Sequence, residues 1–327
     1  MLPDSCTILP TAAVIVRPRD SLGCVDTLAR LRGSITRHAG EGRTPTALPG
    51  VSVICSPTIT EPLGDVIEPT LSVIAQGVKE TELNGRTFTY GPGQFLVVSV
   101  ELPVIGHITH ATVKEPFLAV VLELRPERIA ALLLETAPVA TGRPGAAHAT
   151  PAGIAVSDAA PALIDAVSRL LALLDAPDDA AALATGVERE VLWRLLTGPQ
   201  GATVRQIGLA DSRLAHLARA IRWIRGHYNE TLRVEELAAL AALATMSVSS
   251  FHRHFRAVTS MTPIQFQKQI RLREARARLL AQPGDITGVG FAVGYDSPSQ
   301  FSREYWRMFG APPSHDALAL RETAAST

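Results

Sequence analysis

Two short segments, fifty residues apart, carry the same pattern, and a chain that holds both can fold around them in few ways. In residues 297–309, Phe301, Tyr305 and Met308 recur at i, i+4 and i+7, the spacing of one helix face. Ser299, Arg303 and Arg307 line another face, with Gln300 beside them. Ser297 is a natural N-cap, and Pro298 suits a first helical position. In residues 247–258 the inner stripe is Phe251, Phe255 and Val258, and the outer stripe is Ser249, His252, Arg253 and Arg256. Such a helix buries aromatics on one side and offers groups that read base-pair edges on the other. Arginine forks onto guanine, glutamine onto adenine, and serine reaches phosphate or base. Alone, either segment also fits a surface helix with a solvated basic face. The rest of the chain separates the two readings.

Each segment follows a short helix and a tight turn, so the pair reads as two helix-turn-helix units. Before the first stand a helix over residues 214–228, with Leu217, Ile221 and Ile224 inward and Arg219, Arg222 and Arg225 outward, and an Ala/Leu-rich helix over 234–244. Before the second stands a short helix over 285–293, ended by Gly294. Between the units, residues 263–281 form one helix of about 28 Å at 1.5 Å per residue, against ~34 Å between successive major-groove entries on one face of B-DNA. Its Lys268, Arg271, Arg273, Arg276 and Arg278 are expected to divide between phosphate contact and ordinary solvated charge. The whole chain has zero net charge, but residues 213–327 carry 15 Lys+Arg against 9 Asp+Glu, and residues 1–212 carry 16 against 22. An acidic front and a basic back imply that only the back meets a polyanion.

The front has a different period. Between residues 51 and 124 run seven short β-rich stretches: 51–55, 71–76, 79–83, 86–90, 95–100, 104–109 and 117–124. Asn84-Gly85 separates two of them and suits the positive φ of a type I′ hairpin turn. This spacing predicts a small β-sandwich or barrel. A helix is expected over 26–38, a loop over 39–50 and a helix over 125–135. Residues 136–161 lack a period and read as a connection. Two amphipathic helices follow, over 162–174 (Leu163, Val167, Leu170, Leu171, Leu174) and 180–196 (Leu183, Val187, Val191, Leu195). They suit core packing better than a dimer seam. The expected class is α+β with two domains. Residues 1–135 form the β-domain with flanking helices, 136–212 a linker with accessory helices, 213–313 an all-α domain with two helix-turn-helix units, and 314–327 a tail.

Other chemistries find little support. Cys6, Cys24 and Cys55 make neither a disulfide framework nor a metal cluster, which fits a reducing compartment. The start of the chain does not read as a signal peptide, and no apolar run reaches membrane-spanning length, so a cytoplasmic protein is expected. His107 and His110, at i and i+3 on a strand, point to opposite faces and suggest no metal set. His252 and His254 do not share a helix face; the second reads as packing or surface. Asp178-Asp179 reads as a helix start. No catalytic residue, cofactor or metal ligand is expected, and no residue stands out as an effector ligand.

Residues 214–313 resemble the DNA-binding domain of the AraC-type (AraC/XylS) transcriptional regulators. The resemblance is densest from Asp285-Ile-Thr-Gly-Val-Gly-Phe through Tyr295-Asp-Ser-Pro-Ser-Gln-Phe-Ser-Arg-Glu-Tyr-Trp-Arg-Met-Phe-Gly-Ala-Pro-Pro313. Residues 246–255 and Met261-Thr-Pro-Ile-Gln-Phe-Gln-Lys268 resemble the first unit and the start of its linker helix. Residues 48–99 are similar to the cupin-like N-terminal domain of a subgroup of these regulators. The resemblance implies base-reading positions at Ser249, His252 and Arg253 and at Ser299, Gln300 and Arg303, with Arg307 a phosphate contact. The chain departs from the family at residues 234–246, which read about one helical turn longer, with Thr245 where a glycine is usual. The expected function is sequence-specific transcriptional regulation through double-stranded DNA at a promoter or operator. A small-molecule effector or partner would act on the front domain; activation is the commoner outcome in the family. A homodimer, and RNA polymerase for an activator, are the further partners implied. The rival readings are a metal-dependent cupin-type enzyme with an appended helical domain and an architectural DNA binder. The modest basicity of the back half weighs against the latter.

Overall fold

The computed structural model describes residues 22–136, 153–210, 212–233, 248–282 and 284–325. The expected helix over 234–244 and the departure at Thr245 lie outside the described residues. Helix α1 (Leu22–His38) precedes nine strands: β1 (Gly42–Pro45), β2 (Val51–Ser56), β3 (Leu63–Ile67), β4 (Thr70–Gln76), β5 (Val78–Leu83), β6 (Arg86–Tyr90), β7 (Gln94–Val98), β8 (Leu102–His110) and β9 (Phe117–Glu123). Helix α2 (Pro126–Glu135) and β10 (Ile154–Asp158) follow. The strands form two antiparallel sheets, β1-β2-β9-β4-β7-β10 and β3-β8-β5-β6, which make the expected sandwich.

Strands β4 and β9 are buried on both faces, which explains their unbroken apolar runs. One face looks into the sandwich and the other is covered by α1, which also packs on α3 (Pro161–Ala172). The β5–β6 hairpin turns at Asn84 and Gly85 with φ of 49° and 81°, the left-handed values that its sequence suits. Three strands appear where none was expected: β1 inside the loop 39–50, β3 after residue 60, and β10 inside the connection 136–161. Each is an edge strand of its sheet. An edge strand leans on one neighbour and buries little, so it has no strong apolar alternation to read.

Core packing is what α3 and α4 (Pro177–Thr197) do. Leu163, Val167, Leu170 and Leu171 of α3 and Val191, Leu192, Leu195 and Leu196 of α4 join the sandwich core. The expected stripe on α4 fails in its first half: Leu183 is 53% exposed and Val187 half-buried. Only the C-terminal half of α4 reaches the core. A further short helix, α5 (Gly201–Gly208), leads into α6 (Arg213–Gly226), capped by Ser212 accepting from the Ala215 N–H.

The remaining helices are α7 (Val248–Thr259), α8 (Pro263–Ala281), α9 (Ile286–Ala292), α10 (Pro298–Phe309) and α11 (Pro313–Ala325), the last lying where a tail was expected. Helix α8 begins with a capping box: Thr262 Oγ1 accepts from Gln265 N–H, and Gln265 Oε1 accepts from Thr262 N–H. Its first half (Phe266, Ile270) lies in a core continuous with Phe251, Phe255, Ile221 and the sandwich. Its second half (Leu272, Ala275, Leu279) lies in a separate core with Val289, Phe301, Tyr305 and Ala317. The first helix-turn-helix unit is thereby welded to the sandwich, and the second is not.

Polar contacts close the seam. Asn84 Nδ2 at the hairpin tip donates to the Ser260 carbonyl at 2.6 Å, and Arg273 Nη2 donates to the Val104 carbonyl at 3.0 Å. Arg225 pairs with Glu101. Burial pushes the Arg273 guanidinium down to about 10, opposed by the nearby charge of Asp65. At Gly153 an added Cβ would stand 2.2 Å from the Val258 carbonyl oxygen, so the backbone there accepts only glycine.

The two cores predict different responses to truncation. Phe255→Ala is expected to cost about 3–5 kcal/mol and to lower a transition shared by the sandwich and first unit. Phe301→Ala is expected to loosen only residues 286–325, seen as early amide exchange there while the sandwich stays protected.

Candidate nucleic-acid interface

Helix α10 is built as its sequence implies. The Ser297 side chain accepts from the Gln300 N–H, Pro298 opens the helix, and Gly310 ends it at φ 74°. Phe301 and Tyr305 are buried and packed edge to face, their centroids 5.6 Å apart. Tyr305 OH donates to Asp316 Oδ2 at 2.7 Å, and Arg276 grips the same carboxylate through Nε and Nη2 at 2.8 and 2.9 Å. Burial, then the Asp316 hydrogen bond and charge, drives the Tyr305 hydroxyl far above its ordinary value, so it stays a donor. The buried side of α10 is thus fixed to α8 and α11, and its outer side is held still.

On that outer side Ser299, Gln300, Arg303 and Arg307 are all exposed. Gln300 Nε2 donates to Glu304 Oε1 at 3.2 Å; the same carboxylate accepts from Lys268 Nζ at 2.6 Å and Tyr295 OH at 2.9 Å. Gln300 therefore projects with its amide already oriented. Sequence reasoning passed over Trp306, which is 58% exposed on α10. Its i+7 spacing from Ser299 and i+3 spacing from Arg303 place it on the same solvent face.

Helix α7 repeats the arrangement. Phe251, Phe255 and Val258 are fully buried, and Phe255 meets Phe266 of α8 edge to face at 5.7 Å. Ser249, Arg253 and Arg256 are exposed, and His252 is half-buried with its ring edge toward Phe251. His254 is buried; burial, then the charges of Arg213 and Arg253, lowers its pKa and favours the neutral ring. Of the two roles its sequence allowed, packing or surface, it packs, and it leaves the outer face to its neighbours.

The basic residues of α8 differ from expectation. All five have partners within the fold. Lys268 pairs with Glu304, and Arg276 with Asp316. Arg271 donates to the carbonyls of Tyr228, Gly294 and Glu230, Arg273 to Val104, and Arg278 to Glu274 and Tyr228. By contrast, Arg253, Arg256, Arg303 and Arg307 form no ion pair with any carboxylate among the described residues. Helical charges at i and i+4 say nothing about partners on other helices, so the sequence could not separate the two groups.

A sandwich joined to a helical half whose α7 and α10 bury aromatics and turn arginines outward fits a two-domain DNA-binding protein. The comparisons agree. Residues 47–203 match the family model described as AraC-type transcriptional regulator N-terminus, and residues 240–317 match a helix-turn-helix domain. The chain belongs to the AraC-type transcriptional regulators. It is similar to the HTH-type transcriptional activator RhaS of Escherichia fergusonii, 28% identical over 149 residues, 45% of this chain and 51% of that protein. RhaS of Yersinia pestis bv. Antiqua is 28% identical over 132 residues, 40% and 45% of the two chains. The chain thus spans about half the length of the curated relatives it matches. Among solved structures, apo ToxT from Vibrio cholerae aligns with a TM-score of 0.49 at 8% identity, over 85% of this chain and 99% of that one. A probable AraC family transcriptional regulator from Rhodopseudomonas palustris aligns with a TM-score of 0.29 at 24% identity, over 33% and 98%.

The Glu304 carboxyl carries a pH signature. Burial alone would raise it, but hydrogen bonds from Lys268, Gln300 and Tyr295 outweigh burial and hold it below its ordinary 4.5. A carboxyl with a lowered folded pKa stabilises the fold above its unfolded value and loses that contribution as pH falls through the folded one. Glu304→Gln is therefore expected to melt below the parent at neutral pH, with the gap closing in thermal melts as pH falls below the ordinary carboxyl value of 4.5.

Proposed function

We propose that the chain regulates transcription by reading double-stranded promoter or operator DNA with α7 and α10 in successive major grooves. Ser249, His252 and Arg253 read bases from the first unit, and Ser299, Gln300 and Arg303 from the second. Arg256 and Arg307 contact phosphate. The observation that carries this reading is the division of the basic residues: those of α8 are consumed by the fold, while the arginines on the outer faces of α7 and α10 are exposed. Placing exposed arginines on two rigidly backed helices meets the geometric demand of base readout. The seam from the β5–β6 hairpin and β8 to α7 and α8 supports a regulatory role for the sandwich, since whatever shifts those strands also shifts the first unit. A small-molecule effector acting there, activation through RNA polymerase, a homodimer and a cytoplasmic location complete the proposal. No helix among the described residues is long and apolar enough to cross a membrane.

Footprinting of genomic fragments is expected to reveal discrete protected sites with contacts in two adjacent major grooves. Uniform, salt-sensitive coating of every fragment would instead favour an architectural binder. On a protected site, Arg303→Ala is expected to cost ~1–3 kcal/mol and to relax preference at one base pair. Equal weakening on all sequences would make Arg303 a phosphate contact and overturn its assigned role.

A further inference from the structure

A cavity of about 350 Å³ lies outside the sandwich, between the start of β2, the first turn of α2 and the facing sides of α3 and α4. Its volume falls within the range of small-molecule sites. Its floor is apolar: Leu48, Val51, Leu170, Leu173 and Leu174. On α4, Ala181, Ala184 and Glu188 line it with Thr185; the small alanines keep it open. A smaller cavity of about 120 Å³ shares Arg128, Thr185 and Glu188 with it and continues along the same two helices.

The charged groups at this cavity do not cancel. Arg125 Nη2 donates to Glu188 Oε1 at 2.9 Å, which neutralises one pair. Arg125 Nε is nevertheless buried with no hydrogen-bond partner. Arg128, in the first turn of α2, is exposed at the rim and has no ion-pair partner among the described residues. Neither α2 nor α4 has a side-chain cap at its N-terminus, and Glu127 of α2 and Asp178 and Asp179 of α4 stand in the first turns and offset the dipole ends. Among the residues that line the cavity, Arg125 and Arg128 exceed Glu188 by one positive charge, and with the apolar floor that matches a ligand with one negative charge on an apolar body.

We propose that this cavity binds an apolar monocarboxylic acid, with the carboxylate on Arg128 and Arg125 and the hydrocarbon against Leu48, Leu170 and Leu174. This names the effector class for the regulatory reading above and rests on it. The fold supplies a path to the DNA-binding helices. Helix α5 packs against α2 and α4, two of the three helices that line the cavity. An added Cβ at Gly208 would stand 2.5 Å from Ile129 Cγ2 of α2, and one at Gly201 would stand 2.2 Å from the Leu196 carbonyl oxygen of α4. A ligand that changes the spacing of α2 and α4 must therefore move α5, which runs into α6 and the first unit.

Titration calorimetry of the full chain with octanoate, octan-1-ol and octylammonium, without DNA, tests the site. Octanoate is expected to bind at least about tenfold more tightly than either analogue, since charge-assisted hydrogen bonds are worth that much. Arg128→Gln is expected to weaken octanoate about tenfold. Ala181→Phe, which fills the cavity, is expected to abolish binding with an unchanged circular dichroism spectrum. Equal affinity for octan-1-ol, or undiminished binding of octanoate by a folded Ala181→Phe variant, overturns the proposal. Calorimetry contains no DNA, so its outcome is separate from operator reading, which footprinting decides by itself.

Discussion

Helix α8 buries side chains in two cores at once, and the placement of everything functional depends on that. Phe266 and Ile270 belong to the core shared with the sandwich, while Leu272, Ala275 and Leu279 belong to the core under α10. An uninterrupted helix of 19 residues is stiff on this length scale. The two recognition helices therefore keep a set separation even though their cores are distinct. Its charged side chains complete the arrangement. Arg276 holds Asp316 and through it Tyr305, and Lys268 holds Glu304 and through it Gln300. Each joins the spacer to α10.

The two units are consequently unequal. The first shares its apolar core with the sandwich and is tied to it again by Asn84, Arg225 and Arg273. The second has its own core of fewer large side chains, joined to the rest through α8 and the segment at Tyr228 and Asn229. A change in the sandwich acts on the first unit directly, whereas the second follows as the far end of a lever. Such an asymmetry suits a regulator: one unit can hold a site while the other is repositioned.

Much of this was legible in the chain itself. The stripes of Phe251, Phe255 and Val258 and of Phe301 and Tyr305 appear in the structure as buried faces, because helical periodicity reports burial directly. The Asn84-Gly85 turn and the strands of the sheet centres were equally readable. The edge strands β1, β3 and β10 were not: β3 and β10 pair with residues far away in the chain, and β1, paired with the neighbouring β2, has no buried residue to mark it. The exposed start of α4 was misread for a related reason: Leu183 continues an apolar period, but the helix has moved beyond the core by that point.

The sequence by itself determined the two recognition helices, their inner and outer faces and the spacer between them, because each is a local pattern of 3.6-residue period. It also determined the split between an acidic strand-rich front and a basic helical back. Only the tertiary structure decided which cations are available. Arg271, Arg273 and Arg276 look no different in the chain from Arg253 or Arg303, yet their partners are carbonyls and carboxylates brought in from other elements. The same holds for the cavity beside α4, whose arginines, leucines and alanines come from β2, α2, α3 and α4 and meet only when the helices dock. Charge and period are properties of a segment; whether a charge is spent or free is a property of the packed molecule.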